Sequence, residues 1–599
     1  MGIDILLLNV RTPRYRSLSD TIIENGLSIL KEHMRQRGLN AVIEDKGKID
    51  DYKAFAPEAI TAPLHWMSGK ILDRVANGKK PPLALGIASL GLQKLLDAYQ
   101  KRKMEAYLES LADYVKSENI PVVGKKVWYG LSFYWAQQFT EILKRKVPEV
   151  IVVDGGFHPS VYQEYYVEQT KADLVVLSEG EEALTQIVRI AKERRSKGHN
   201  KKSILEAVKA EGIPNVAYRN VDKVIRNPIQ HIPLDRKTVQ RHEDDFEGRL
   251  KIAVITDALG CPHSKCNFCD YHNIYNTYMV KSPALVADEI QYFLEKGVGL
   301  FRFTSGSNSL EDSRAIAEEI IKRGFTIHYS IFNRCEKESK KRFDDIVKTY
   351  ITMIKSGLRA VFVGAESGND EVLKTVINKG STREDILHTV KAIRKASQET
   401  GQHVDICMSI IYPHPVLNGI SLEQSYNDTL SLIKETMPES VLPNLPAPFT
   451  GSTWFNDEQF GFDYYDSRQP DTAHLSRERK KWMIANEMMA MEYLLYLPPR
   501  LWKLPNITIN GMNTIKAVEL NGRLRTDIRS LGIETDIGDE HFLMLRASGF
   551  NGKEGIKEFK HKSMQSILSC NYRFAKHFYE NVNNYSSSLG NRNIMRGNQ

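Results

Sequence analysis

The stretch Asp257-Ala-Leu-Gly-Cys261-Pro-His-Ser-Lys-Cys266-Asn-Phe-Cys269 holds three of the chain's six cysteines within nine residues. It follows an apolar run at residues 252–256, so we expect the cysteines on a loop just past a buried strand. Thiolates packed this tightly are typical ligands of a metal ion or an iron–sulfur cluster. Three thiolates would leave one iron of a 4Fe–4S cluster without a protein ligand, and that open position could bind a substrate.

The cysteines allow two other interpretations, of which one stays open and the other is disfavoured. A zinc site remains possible, with His263 or His272 as the fourth ligand. A disulfide framework is disfavoured, because six cysteines in 599 residues are sparse and the N-terminus has no basic, signal-like segment.

Composition narrows the class of protein further. The chain has 599 residues, of which 42% are hydrophobic and 26% charged, which is typical of a globular protein of about three or four domains. The net charge of +8 is mild for this length and suits small anionic ligands, so we expect no nucleic-acid partner. No apolar run is long enough to span a bilayer, and the cysteine usage predicts a cytoplasmic protein.

Alternating strand and helix patterns predict a doubly wound parallel sheet over residues 1–235. The strand candidates are residues 3–10, 41–44, 127–132, 150–156 and 172–177. A mainly helical insertion is expected at residues 52–120, because that segment is rich in Lys, Leu and Ala. Ligands of such sheets bind at the carboxyl ends of the strands.

A second alternation begins at Lys251 and predicts a partial barrel of six strand–helix units over residues 245–460. Its strand candidates are residues 251–257, 300–304, 326–332, 359–365, 404–412 and 440–446. Residues 461–599 lose this pattern. There we expect a mainly helical C-terminal region related to the substrate, with a helix at residues 480–495 and a disordered polar tail.

Several strand tips of the predicted barrel carry polar or small residues. The second strand is followed by Thr304, Ser305, Gly306, Ser307 and Asn308, which would let the backbone approach a ligand. Arg334 follows the third strand and could pair with a carboxylate. Glu366 ends the fourth strand and could hydrogen-bond a ribose diol. Their shared place at successive strand tips predicts one site.

At this point the chain resembles the radical S-adenosylmethionine (SAM) enzymes. The cysteine triplet, with an aromatic residue before its last member, is similar to their cluster motif. The segments Gly364-Ala-Glu-Ser-Gly-Asn-Asp-Glu-Val-Leu373 and Asn378-Lys-Gly380 look like their fourth-strand signature. Pro446-Ala-Pro-Phe-Thr-Gly-Ser-Thr453 is similar to a segment that often closes the barrel.

Two features depart from that pattern. Four residues rather than the usual three separate Cys261 from Cys266, which implies a slightly wider loop. The segment Ile411-Tyr-Pro-His-Pro415 stands where relatives often have Gly-Leu-Pro.

The N-terminal domain resembles the cobalamin-binding domain that precedes the barrel in one subgroup of that family. The similar segments are Tyr129-Gly-Leu-Ser132, Asp154-Gly-Gly-Phe-His-Pro159, Ala172-Asp173 and Ser178-Glu-Gly-Glu-Glu182. No Asp-x-His-x-x-Gly motif follows the first strand, which continues Val10-Arg-Thr-Pro-Arg-Tyr15. The resemblance therefore implies cobalamin bound with its base displaced and without a histidine ligand, and aromatic residues 133–135 near its lower face.

The resemblance implies three cofactors and the residues that hold them. Cys261, Cys266 and Cys269 would bind a 4Fe–4S cluster, and the strand-tip residues named above would bind SAM. The residues implied for cobalamin are Ser132, Tyr134, Trp135, Gly155, Gly156, His158, Glu179 and Gly180.

The implied reaction is methylation of an unactivated sp3 carbon in a small-molecule, peptide or lipid substrate. A 5′-deoxyadenosyl radical from SAM would remove hydrogen, methylcobalamin would deliver the methyl group, and a flavodoxin- or ferredoxin-type reductase would supply the electron. Two alternatives remain: a cyclisation or rearrangement without net methyl transfer, and a non-enzymatic corrinoid-binding protein with a structural metal site.

Overall fold

The computed structural model describes residues 2–14, 18–76, 79–128, 131–221, 223–242, 246–417, 419–449, 451–465 and 506–597. The chain divides into two compact units, one of residues 1–250 with 558–581 and one of residues 251–557 with 582–599. The C-terminal helices Gly552–Ser569 and Arg573–Gly597 are each divided between these units.

The first unit is built on a seven-stranded sheet in the order β2-β1-β3-β4-β5-β6-β7. The strands are β1 (Ile5–Asn9), β2 (Ala41–Glu44), β3 (Val122–Lys126), β4 (Ile151–Gly155), β5 (Leu174–Val176), β6 (Val216–Asn220) and β7 (Lys223–Arg226). The first five run parallel, and β6 and β7 add an antiparallel edge. The doubly wound fold predicted from the sequence is therefore confirmed.

Helices cover the sheet and form the insertion. They are Gly26–Arg35, Ile49–Ala54, Glu58–Ala76, Leu83–Ser117, Leu131–Lys146, Phe157–Gln169, Glu181–Ser196 and Lys201–Ala210, with short 3-10 turns at Leu18–Thr21 and Leu234–Arg236. The core lies between the sheet and the helices Gly26–Arg35 and Glu181–Ser196, where aliphatic side chains of both are buried. Burial of this kind contributes about 1.5–3 kcal/mol for each large side chain.

One predicted strand in this unit is wrong. The sequence favoured residues 127–132, but β3 ends at Lys126 and a helix begins at Leu131. The hydrophobic pattern of the sequence did not mark β3 as a buried strand, because β3 includes the charged residue Lys125, which is nevertheless fully buried. Its ammonium lies 3.1 Å from the equally buried carboxylate of Asp154, so a residue that looks like a surface position belongs to the core.

The second unit is built on a parallel seven-stranded sheet in the order β8-β11-β12-β13-β14-β15-β19. Its strands are β8 (Ile252–Ile255), β11 (Leu300–Phe303), β12 (His328–Arg334), β13 (Leu358–Glu366), β14 (Asp405–Ile411), β15 (Ser440–Asn444) and β19 (Glu534–Thr535). The six predicted strands of the partial barrel are confirmed. The seventh, β19, was missed because it is only two residues long.

Smaller elements complete this unit. An antiparallel pair joins β9 (Ala258–Leu259) to β10 (Met279–Val280), and a three-stranded sheet joins β16 (Phe462–Tyr465), β17 (Asn506–Ile509) and β18 (Met512–Asn513). The helices are Tyr271–Ile274, Pro283–Glu295, Leu310–Lys322, Phe343–Ser356, Arg383–Thr400, Leu422–Thr436, Thr453–Asn456, Thr514–Ser530 and Asp539–Ser548, with a π-helical turn at Val372–Ile377 and a 3-10 turn at Glu458–Phe460.

The C-terminal region differs from its prediction in two ways. The tail is helical over Arg573–Gly597 rather than disordered. The helix Asp539–Ser548 packs against β12, β13 and β14, where Asp539 is fully buried and its carboxylate accepts hydrogen bonds from Arg302 at 3.1 Å and Ser330 at 2.7 Å. The region beyond residue 461 is thus divided between the two units rather than standing apart. The predicted helix at residues 480–495 lies outside the described residues.

None of the helices in the described ranges combines the length and apolar composition that crossing a bilayer requires.

Candidate functional site

The cysteine loop lies immediately after β9 and is held by backbone contacts on both sides. The N–H of Asn267 donates to the carbonyl of Ile377 at 2.8 Å, and the N–H of Trp454 donates to the carbonyl of Asn267 at 2.9 Å. The indole N–H of Trp454 also donates to the carbonyl of Val376 at 2.9 Å. The loop is therefore fixed between the π-helical turn after β13 and the segment after β15.

All three cysteines of the loop are free thiols and half-buried. Burial raises the pKa of the Cys266 and Cys269 thiols, so bound iron is what would hold them as thiolates. The N–H of Tyr271 points at the Cys269 sulfur at 3.4 Å, a contact that suits a cluster ligand. The donor set fits a 4Fe–4S cluster with one open iron.

Of the two histidines considered for a zinc site, His263 is already engaged. Its Nε2–H donates to the carbonyl of Asn378 at 2.7 Å, and burial lowers the pKa of His263 to about 4. The Nδ1 of His272 is buried without a hydrogen-bond partner among the described residues, so His272 is the histidine that could complete a zinc site.

The loop after β11 is organised by a buried carboxylate that sequence reasoning missed. Asp257 lies just past the end of β8. It accepts hydrogen bonds from the Ser305 N–H at 3.1 Å, from the Ser305 hydroxyl at 3.3 Å and from the Asn308 amide. Burial raises the pKa of Asp257 to about 6. Its position just before the cysteine loop was the available signal, since strand-tip carboxylates of such sheets face the ligand edge.

The other predicted residues of this loop lie where expected. Thr304 continues β11, its N–H donating to the carbonyl of Ile255 at 3.0 Å, and the Ser307 hydroxyl accepts from the Arg334 N–H at 3.3 Å. A Cβ at Gly306 would come within 2.5 Å of the Tyr271 ring. Gly306 is thus required for the close approach of this loop to the segment that follows the cysteines.

Arg334 and Glu366 face the same edge of the sheet. The guanidinium of Arg334 donates to the carbonyl of Lys379, and its Nε is buried without a hydrogen-bond partner among the residues that the structure describes. An orphaned charged donor of this kind is a candidate contact for a carboxylate.

Glu366 is buried and held by two side chains. Its Oε1 lies 3.0 Å from the ammonium of Lys379, and its Oε2 accepts a hydrogen bond of 3.1 Å from Ser409. Burial opposes the charge of Lys379, but the Glu366 carboxylate outweighs it and raises the pKa of the lysine. Lys379 was missed from the sequence, although it lies inside the Asn378-Lys-Gly380 segment already singled out.

In the first unit, the glycine pair at the end of β4 makes a close backbone approach. Gly156 has a φ of 104°, and a Cβ there would come within 3.3 Å of the Val127 backbone. Gly155 lies against Val176 of the neighbouring strand. The two glycines, here called the glycine cradle, thus permit close packing of neighbouring strand ends at the carboxyl edge of the sheet, where ligands of such folds bind.

The predicted aromatic segment is divided by its helix into buried and exposed positions. Trp135 is buried and its indole N–H finds no hydrogen-bond partner in the described part of the chain, whereas Tyr134 is 41% exposed. Ser132 is buried and donates to the carbonyl of Val10 at 2.6 Å, which ties the first turn of the helix Leu131–Lys146 to the end of β1. Trp128, an aromatic residue that the sequence analysis did not single out, is 39% exposed. Its ring stacks on that of Phe157, with 4.7 Å between the ring centroids.

His158 and Glu179 are placed in the interior rather than at an open surface. His158 is 1% exposed and packs edge-on against Phe133, Tyr162 and Tyr166, and burial lowers its pKa to about 3.

Glu179 pairs with the ammonium of Lys237 and accepts a hydrogen bond of 2.8 Å from the N–H of Ile232. Gly180 caps the helix Glu181–Ser196. Cobalamin contacts by His158, Glu179 and Gly180 stay predictions.

Comparisons with known families agree with the two units. The model of the B12 binding domain matches residues 85–188, and the model of the radical SAM superfamily matches residues 255–428. The two domains follow one another in the order that the sequence predicted.

Among curated proteins, the chain is similar to two with distinct printed functions. It is 26% identical over 305 residues to anaerobic magnesium-protoporphyrin IX monomethyl ester cyclase of Cereibacter sphaeroides, covering 48% of each chain. It is 26% identical over 240 residues to tRNA-2-methylthio-N(6)-dimethylallyladenosine synthase of Clostridium novyi, covering 39% of this chain and 47% of that one. The chain thus spans about half the length of the curated relatives it matches.

Solved structures show the same fold over nearly the whole chain. The radical SAM methyltransferase TsrM of Kitasatospora setae, with cobalamin and a [4Fe-4S] cluster bound, has a TM-score of 0.60 at 14% identity, and the match covers 96% of this chain and 100% of that one. The cobalamin-dependent SAM radical enzyme OxsB has a TM-score of 0.53 at 14% identity, with 99% and 79% covered.

The geometry and the comparisons identify the same cofactors. The three thiols of the cysteine loop suit an iron–sulfur cluster, and the Arg334 donor suits a carboxylate such as that of SAM. The cofactors of this chain are a 4Fe–4S cluster, SAM and cobalamin.

Proposed function

We propose that this chain, which is a cobalamin-dependent radical SAM enzyme, transfers a methyl group to an unactivated sp3 carbon of a small-molecule, peptide or lipid substrate. The observation that carries the proposal is the union of a B12-binding domain and a radical SAM domain in one chain. A carbon radical cannot accept a methyl cation from SAM, but it can accept a methyl radical equivalent from methylcobalamin. The fold shared with TsrM, a radical SAM methyltransferase, supports this choice.

When bound, the cofactors supply the radical that removes hydrogen and the methyl group that replaces it. The protein's own residues bind and orient them. We assign the iron to the three loop thiols and the SAM carboxylate to the Nε of Arg334. We assign the hydrogen bonds from the ribose to Glu366, since its carboxylate is held at the tip of β13.

The proposal also assigns the loop of residues 304–308 and the glycine cradle. Gly306 lets the loop lie flat against Tyr271, so its backbone can approach the SAM nucleoside. In the first unit, the Gly155–Gly156 cradle and the exposed Tyr134 are proposed to lie against cobalamin.

Turnover stoichiometry tests the proposal directly. The reconstituted, anaerobically reduced enzyme should consume two SAM per product and form 5′-deoxyadenosine and S-adenosylhomocysteine in equal amounts. SAM with a deuterated methyl group should leave its label in the product. A product without the label would sink the methylation proposal.

A second candidate is cyclisation or rearrangement without net methyl transfer. The observation in its favour is the 26% identity to the anaerobic magnesium-protoporphyrin IX monomethyl ester cyclase. Such a reaction would form 5′-deoxyadenosine without S-adenosylhomocysteine, so the same assay separates the two. A non-enzymatic corrinoid-binding protein would show no reductant-dependent cleavage of SAM at all.

The proposed partners follow from the chemistry. The substrate binds beside the cofactors, and a flavodoxin- or ferredoxin-type reductase delivers one electron to the cluster. Such a reductase, supplied with its own electron source, should support SAM cleavage in place of a chemical reductant.

A further inference from the structure

Lys379 is a buried lysine whose charge no other part of the proposed mechanism uses. Its side chain is only 7% exposed, and its Nζ lies 3.0 Å from Glu366 Oε1. The second oxygen of Glu366 accepts from Ser409 at 3.1 Å, and Ser409 in turn accepts from Asn444 at 3.0 Å. The Glu366 carboxylate is therefore held from two sides, by a cation and by a hydroxyl.

The backbone at Glu366 has an unusual conformation. Glu366 has a φ of 64°, which a residue with a side chain rarely adopts. Burial of a carboxylate also costs free energy unless the charge is paired and hydrogen-bonded. The ammonium of Lys379 pairs with this charge and fixes the direction of the side chain.

The segment around Lys379 also contacts the other parts of the site. The carbonyl of Asn378 accepts from His263 at 2.7 Å, and the Asn378 amide donates to the carbonyl of Lys265 at 2.8 Å. The carbonyl of Lys379 accepts from Arg334. Residues 378–380 thus link the cysteine loop, the Arg334 guanidinium and the Glu366 carboxylate.

The charge of Lys379 reaches the cysteine loop as well. Asn378, the residue before Lys379, donates its side-chain amide at 2.8 Å to the carbonyl of Lys265, the residue before Cys266, so Lys379 lies beside this part of the loop. A fixed positive charge here would favour the reduced cluster, which carries one more electron.

We propose that Lys379 is a positioning residue that holds Glu366 in place for the SAM ribose and sets a positive charge beside the cluster. This inference rests on the proposed contact between Glu366 and SAM. It does not depend on whether the reaction is methylation, because SAM binding and the cluster potential are measured without substrate.

A double-mutant cycle on the reconstituted full chain tests the positioning role. K379M should weaken SAM binding about 10-fold or more, and E366Q should weaken it too. In K379M/E366Q the loss should match that of E366Q within about 2-fold, because Lys379 acts through Glu366. The proposal would be overturned if the losses of SAM affinity in K379M and E366Q multiplied fully in the double variant. It would also be overturned if K379M bound SAM as tightly as the wild type.

Two further variants guard against a misfolded protein. G364A keeps both charges, but its new Cβ would lie 2.8 Å from Lys379 Nζ and 2.9 Å from Glu366 Oε1, so it should separate the pair and weaken SAM binding. K355M removes an exposed lysine of the helix Phe343–Ser356 and should change nothing. If K379M does not fold, the proposal stands only if G364A retains iron and loses SAM affinity, and fails if G364A binds SAM normally.

The cluster potential supplies a readout that loss of packing alone would not give. Measured without SAM, the potential of K379M should be more negative than that of the wild type, and K379R should restore it because the charge returns. A potential that is the same in K379M and K379R would contradict the electrostatic part of the proposal.

Discussion

Asp257 and Ser305 are joined by two hydrogen bonds that connect the tip of β8 to the loop after β11. The backbone nitrogen of Ser305 lies 3.1 Å from Asp257 Oδ1, and the hydroxyl oxygen of Ser305 lies 3.3 Å from Asp257 Oδ2. The shape of the proposed SAM loop therefore depends on a carboxylate from the neighbouring strand.

Replacing Asp257 should loosen that loop. D257A leaves the Ser305 N–H and the Asn308 amide without their acceptor, and buried donors left unsatisfied cost about 1–3 kcal/mol each. We expect SAM affinity to fall about 10-fold in equilibrium binding, with iron content retained. D344N, at an exposed carboxylate, is the matched control. Unchanged affinity in D257A would show that the loop is not part of the SAM site.

The cysteine loop should bind one cluster per chain. Anaerobic reconstitution should give about four iron and four sulfide. The triple variant C261A/C266A/C269A should lose this iron together with SAM cleavage, whereas C570A, at a buried cysteine of the other unit, should keep both. Stoichiometric zinc without iron in anaerobically purified protein would contradict the assignment.

Cobalamin should be bound with its base displaced and without a histidine ligand. His158, the histidine of the Asp154–Pro159 segment, is packed by three aromatic rings, and its low pKa reflects an apolar site. The paramagnetic-resonance spectrum of the reduced cobalt should therefore lack nitrogen superhyperfine splitting. H158F should give the same spectrum, and a splitting that disappears in H158F would instead identify His158 as a ligand.

Much of the fold could be predicted because its signals are local. The strands β8, β11 and β13 to β15 are apolar runs that end in short polar or glycine-containing segments, and the sequence predicts them closely. The cysteine triplet is equally local, because its chemistry depends on spacing alone.

The missed features depend on contacts between distant parts of the chain. Lys125 looks exposed until Asp154 is placed beside it, and Lys379 gains its role only from Glu366 on another element. His158 is a predicted cobalamin contact because it follows a glycine pair, and the helix Phe157–Gln169 places its side chain among buried aromatic rings. Such pairings follow from tertiary packing, which no short motif records.

A last prediction concerns stability at alkaline pH. In the second unit His403 Nε2 lies 3.1 Å from Asp405 and 3.3 Å from Glu439, and hydrogen bonds to these carboxylates raise its pKa to about 9. Because this value lies above the ordinary 6.5, the stabilisation is fully present below pH 6.5 and is lost as the pH rises through about 9. His403 is half-exposed, so we expect a small effect, within the range of about 0–1 kcal/mol typical of exposed ion pairs.

The carboxylates already have cations beside them, which separates this cluster from a metal site. Arg394 lies 2.9 Å from Glu439 and Arg546 lies 2.6 Å from Asp405. H403N should therefore flatten the fall in unfolding free energy between pH 6.5 and 9 and leave stability unaffected by chelators. Urea unfolding at a series of pH values measures this. A wild-type profile as flat as that of H403N would show that folding does not raise the pKa of His403.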